Sequence, residues 1–206
     1  MKIAKQKMNR MKHICNIPRT YGSTTHGKFL EMFLSDLYKF PEYEQYNGKV
    51  DFPEEIVSQG KVPREWVGDW EVKYYNIKST HIKLGDVVRK SQCLKKGLIL
   101  VIGFYDGDPK NLIDVVFVKA KASAKLIKYF NEWKKASEFV KDRNNTLEQT
   151  KQYVKQTNAR IKNEFYLVNT SAKPRYSKSK GRWLDETRSL TLGISLKNLI
   201  KLYVQA

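Results

Sequence analysis

The stretch Gly68-Asp69-Trp70-Glu71-Val72-Lys73-Tyr74-Tyr75 closes a longer run, Arg64–Tyr75, in which two kinds of side chain alternate. Trp66, Trp70, Val72 and Tyr74 fall on one parity, and Val67, Asp69, Glu71, Lys73 and Tyr75 on the other. Period two predicts a strand with an aromatic face and a largely charged face. On that reading Asp69, Glu71 and Lys73 share a face, each about 6–7 Å from the next.

Working outward, Leu98–Tyr105 and Leu112–Val118 are rich in Ile and Val. Gly97 precedes the first and Asp106-Gly107-Asp108-Pro109 lies between them, so they read as paired, buried strands joined by a tight turn. Upstream, Phe29, Leu30, Phe33, Leu34, Leu37 and Tyr38 recur at helical spacing, with Thr24 and Thr25 as N-caps and Pro41 as the stop. Pro41–Pro63 is turn-rich, with a short extended segment at Lys49–Phe52. Downstream, helices are expected over Ser123–Asp142 and Leu147–Phe165, the second with a thin apolar stripe of Leu147, Val154 and Ile161. A basic loop, Ser171–Trp183, a strand at Ser189–Ile194 and a short helix at Leu196–Val204 complete the chain. This order predicts an α/β or α+β core in a single domain. Residues 1–22 are read as a basic arm, 23–142 as the core, and 143–206 as helix, basic loop and terminal strand and helix.

Lys and Arg outnumber Asp and Glu by 39 to 21 among 206 residues, a formal charge of +18. A fold so charged repels itself until a polyanion neutralises it, and nucleic acid is the partner this predicts. The apolar runs are too short to cross a bilayer, no secretory signal is read at the N-terminus, and no basic amphipathic helix flanks an anchor. Cys15 and Cys93 lack CxxC spacing, and His13, His26 and His81 form no ligand pattern, so neither a disulfide framework nor a zinc site is expected. A reducing cytoplasm suits such cysteine usage.

A carboxylate and an amine two residues apart on a strand can do complementary work on a phosphodiester. Glu71 can hold Mg²⁺, a hard cation that takes oxygen ligands, and Lys73 can orient water or stabilise developing negative charge. A second acid is needed, and both Asp51 and Asp69 are candidates.

Thr25-His-Gly-Lys-Phe-Leu-Glu31, Gly48-Lys-Val-Asp51 and Gly68-Asp-Trp-Glu-Val-Lys73 together resemble the PD-(D/E)XK nuclease superfamily. Within it the pattern is most similar to type II restriction endonucleases, over roughly residues 23–140. Val50 stands where the family carries proline before its aspartate. The resemblance implies a restriction-endonuclease-like core, a central mixed sheet flanked by helices. It further implies Mg²⁺, with Mn²⁺ as substitute, held by Asp51, Glu71 and the Val72 carbonyl. Lys73 would position water and Glu31 would be an accessory acid. The implied activity is site-specific hydrolysis of double-stranded DNA by a homodimer, leaving 5′-phosphates. The alternatives are a structure-specific or homing-type nuclease of the same fold, or a non-catalytic nucleic-acid-binding protein.

For DNA contact the basic loop offers Lys173, Arg175, Tyr176, Lys178, Lys180 and Arg182, followed by Trp183. Arginine reads guanine edges, lysine meets phosphates and aromatics stack. Arg188, leading the terminal strand, is expected to contact a base. Lys151, Lys155 and Arg160 are expected to meet phosphates or water.

Overall fold

The computed structural model describes residues 24–41, 50–109, 111–120, 127–171, 175–177, 182–184 and 188–199. They form a mixed α/β arrangement whose contacts divide into two compact units, each described by itself. Its strands fall into two three-stranded sheets and a two-stranded ribbon, where one central sheet was expected. The units interleave in sequence: described residues up to Thr80 and from Gly97 belong to the first, His81–Lys96 and the residues after Ala122 to the second.

The first unit opens with α1 (Thr24–Tyr38). Leu30 and Leu34 are fully buried, and Phe29, Phe33 and Tyr38 pack beside them, as the helical spacing requires. The helix ends before Pro41: Lys39 turns left-handed at φ 57° and the Phe40 amide donates back to the Ser35 carbonyl at 3.0 Å. That six-to-one bond satisfies an end carbonyl that the helix leaves open. After α2 (Glu54–Val57) and a single 3-10 turn at Arg64–Trp66 comes β1 (Trp70–Asn76). The strand expected from Arg64 therefore starts six residues later, and Trp66 lies in the turn.

In this sheet β1 pairs in parallel with β3 (Leu98–Tyr105), which pairs antiparallel with β4 (Leu112–Ala120). Trp70 is the centre of the core. The rings of Tyr38, Phe40, Phe52 and Phe117 surround it at 5.2–6.3 Å, and its Nε1 donates to the Trp66 carbonyl at 2.8 Å. Gly103, opposite Tyr74 in the register, lets α1 approach the sheet: a Cβ there would stand 2.7 Å from a Leu30 methyl.

The second unit contains a segment that the sequence reading passed over, β2 (His81–Asp86) followed by α3 (Val87–Lys95). Asp86 caps α3 by accepting from the Arg89 amide at 3.0 Å. Strand β2 pairs with β8 (Arg188–Ser195), which pairs with β5 (Phe165–Ser171), all antiparallel. Ile82, Leu84, Phe165, Leu167, Leu190, Leu192 and Ile194 are buried among the described side chains of this sheet. Helices α4 (Phe130–Lys141) and α5 (Leu147–Arg160) belong to the same unit. Thr146 and Gln149 form a capping box at the start of α5. That helix ends at Arg160, and Phe165 begins a strand instead of closing the helix. The Asn158 amide holds that strand to the helix, since it both donates to and accepts from the Leu167 backbone at 2.8 Å.

Within the expected basic loop, β6 (Arg175–Ser177) and β7 (Arg182–Leu184) pair as an antiparallel ribbon with Tyr176 opposite Trp183. Residues 1–22, all of 42–49, Leu126 and the part of the expected terminal helix from 200 onward lie outside the described residues.

Candidate active site

Backbone pairing builds the site before any side chain does. The Trp70 amide donates to the Phe52 carbonyl at 2.7 Å, while the amides of Asp51 and Phe52 donate to the Trp70 carbonyl at 3.0 and 3.1 Å. This short bridge lays Asp51 against the start of β1. Its Oδ2 then accepts from the Val72 amide at 2.7 Å, which fixes the carboxylate at the backbone that joins Glu71 to Lys73.

Period-two alternation places Glu71 and Lys73 on the face opposite Trp70 and Val72. Glu71 is not the solvated acid that a charged face suggests: it is only 2% exposed. Lys73 Nζ donates to Glu71 Oε1 at 2.5 Å and to the Val72 carbonyl at 3.0 Å, and lies 3.7 Å from Asp51 Oδ2. Burial is the largest single influence on Lys73 and lowers its pKa. The nearby Glu71 and Asp51 charges and the hydrogen bond to Glu71 outweigh it, so the net shift is upward. The lysine is held as a cation.

Glu31 reaches the same neighbourhood from α1. A Cβ on Gly27, one turn earlier, would lie 3.8 Å from its Oε1, so the side chain lies back along its helix. Burial first, and then the Asp51 carboxylate, push its pKa up to about 7. Lys73 and Lys28 oppose that rise and Glu71 adds to it. Glu31, Asp51, Glu71 and Lys73 therefore form one electrostatic group.

Asp69 stands apart from it. It precedes β1, and its Oδ1 accepts from the Glu54 amide at 2.9 Å, capping α2 from fifteen residues away. Of the two acids the sequence left open, Asp51 joins Glu71 and Lys73, and Asp69 serves as a cap. The alternation that put Asp69 on the charged face does not extend back beyond the strand's first residue.

The donor set is all oxygen, two carboxylates and a carbonyl, with an ammonium already at its focus. Such a set fits Mg²⁺, which takes one or two carboxylates and keeps several waters. Among the described residues no group of three or more His, Cys, Asp and Glu side chains is placed to hold a metal ion. The fit thus depends on the Val72 carbonyl and water as further ligands.

The expected DNA-contacting residues are more dispersed. Lys173, Lys178 and Lys180 lie outside the described residues, and Arg175, Tyr176 and Arg182 lie on the β6–β7 ribbon. Arg188 Nη1 donates to the carbonyls of Asp142 (3.1 Å) and Asn145, so this edge of the guanidinium ties down the turn between α4 and α5. A base contact through that edge would require breaking both bonds. Arg160 pairs with Glu132 at 2.6 Å and Lys151 with Glu148 at 3.6 Å. In the apolar stripe of α5, Val154 and Ile161 are buried within the unit and only Leu147 is exposed, which removes the stripe as a dimer face.

The chain has no match among protein-family models, curated proteins or solved structures. Among the described residues, no helix is long and apolar enough to cross a membrane.

Proposed function

We propose that this chain is a Mg²⁺-dependent DNA endonuclease of the PD-(D/E)XK type, acting on double-stranded DNA as a type II restriction enzyme does. One observation carries the reading: Asp51, Glu71, the Val72 carbonyl and Lys73 converge within hydrogen-bonding and ion-pairing distance on a strand face, with Glu31 beside them. Asp51, Glu71 and the Val72 carbonyl would hold the ion, which supplies Lewis acidity and a more acidic bound water. Lys73 brings a fixed positive charge to the phosphate oxygens and a donor that orients water for in-line attack. Glu31, whose pKa burial and the Asp51 carboxylate raise to about 7 in the metal-free chain, stands beside this centre as an accessory acid. The +18 charge supports a polyanionic substrate, and the ribbon bearing Arg175, Tyr176, Arg182 and Trp183 has the two-stranded form that a major groove admits.

Incubating an unmethylated phage genome with the protein and Mg²⁺ or Mn²⁺ tests the reading. A discrete fragment ladder with 5′-phosphate ends is expected from the wild type. Glu71→Ala should keep DNA affinity and lose cleavage. Cutting confined to four-way junctions or mismatches moves the substrate within the same fold. Binding without cutting under either metal overturns the enzyme reading and leaves a nucleic-acid-binding protein, which the net charge alone also supports.

A further inference from the structure

The ammonium of Lys73 sits where the proposed metal ligands converge. Nζ is 2.5 Å from Glu71 Oε1, 3.0 Å from the Val72 carbonyl and 3.7 Å from Asp51 Oδ2. These are the oxygens that the proposed function assigns to a divalent ion. A cation bound at about 2.1 Å from the same oxygens would stand too close to a hydrogen-bonded ammonium for both to remain. We propose, resting on that reading, that Lys73 and the divalent cation compete for one oxygen set. On this account loading requires the ammonium to withdraw, which places it for work on the phosphodiester.

The surroundings allow the exchange. The Glu71 side chain is 3% exposed, whereas those of Lys73 and Asp51 are 22% and 30% exposed. The buried acid thus stays fixed while the amine and the outer carboxylate border solvent. Lysine suits the role because its charge is compact and its four-carbon stem is flexible. Without a divalent ion the ammonium neutralises Glu71, whose buried charge would otherwise have lost its close partner. When the ion binds, it takes over that neutralisation and Lys73 is released. Lys73 is thereby both the internal counter-ion of the empty site and the catalytic amine of the loaded one.

Titrating Mn²⁺ into the full chain without DNA, by calorimetry or by the paramagnetic resonance of free Mn²⁺, measures the competition apart from activity. Lys73→Met keeps the stem and removes the competitor, so it should bind Mn²⁺ roughly tenfold more tightly than the wild type. Glu71→Gln should bind it more weakly. Should Lys73→Met fail to fold, crystals of the wild type grown with Mn²⁺ give a second readout. Anomalous scattering should place the ion between Glu71, Asp51 and the Val72 carbonyl, with Nζ withdrawn from Glu71. Equal or weaker affinity in Lys73→Met, or a manganese ion at these oxygens with the Lys73–Glu71 bond intact, overturns the competition and leaves the nuclease reading standing. No Mn²⁺ binding by the wild type or by Lys73→Met defeats both.

Discussion

Glu31 makes the stability of the folded chain depend on pH near neutrality. Its pKa of about 7 stands above the ordinary 4.5, so the native state binds a proton that the unfolded state releases between those values. The stabilising contribution is complete below pH 4.5 and is lost as pH rises through about 7. The shift corresponds to about 3 kcal/mol at full weight, and solvent around the half-buried carboxyl reduces it to the order of 1–2 kcal/mol. Urea melts at pH 4.5, 6 and 8 without divalent ions should show the wild type losing stability with pH relative to Glu31→Gln. Parallel curves for the two proteins would show that Glu31 does not titrate in this range. A second residue-scale test separates the two aspartates. Asp69→Ala removes the cap on α2 and should cost about 1 kcal/mol while leaving Mg²⁺-dependent cleavage intact. Asp51→Ala should lower cleavage by roughly a hundredfold or more, the scale of losing one preorganised charge-stabilising group. Equal loss in both variants would contradict the assignment of Asp51 over Asp69.

At the scale of elements, the site depends on how closely α1 approaches β1 and β3. Gly103 sets that approach, because an added methyl would lie 2.7 Å from Leu30 Cδ2 and 2.8 Å from Tyr74 Cδ2. Leu30 is fully buried and cannot step aside without moving its helix. Gly103→Ala should therefore destabilise the chain by about 1–3 kcal/mol, measured by chemical denaturation, and weaken cleavage by displacing Glu31. A neutral effect would mean that α1 is free to shift. The same elements explain what the sequence disclosed. Leu30, Leu34, Trp70 and Val72 repeat at the periods of their elements, so α1 and β1 were legible, and Glu71 and Lys73 with them. Asp69 was misplaced because alternation says nothing about where a strand begins. The bridge between Phe52 and Trp70, which brings Asp51 in, is a contact between distant positions without a local signal. Strand β2 escaped notice for a related reason. Ile82 and Leu84 give only two buried positions, and β8, which pairs with them, lies more than a hundred residues away. Past the end of α5, the Asn158 side chain ties the helix to Leu167 of the next strand, a contact again invisible to periodicity.

At the scale of the whole molecule, charge is the property that local structure leaves least resolved. Several cations on the described helices are matched: Lys141 lies 3.7 Å from Asp86, Arg160 2.6 Å from Glu132 and Lys151 3.6 Å from Glu148. Such exposed pairs stabilise little, yet they reduce the local field available to a polyanion. The excess behind the +18 total must then come largely from other positions, including the lysines and arginines of residues 1–22 and 171–183. If about six phosphates are neutralised on duplex DNA, log affinity should fall with log salt at a slope near −5. Between 50 and 200 mM salt that amounts to roughly a thousandfold weaker binding. Fluorescence anisotropy with a labelled duplex, in the absence of divalent ions, reads this slope without any cleavage. Replacing Arg175 and Arg182 with alanine should make the slope shallower by about two if both meet phosphates. If instead they read bases, the affinity for the cognate site should fall with little change in slope. A slope near zero in the wild type would remove nucleic acid as the partner that the charge balance implies.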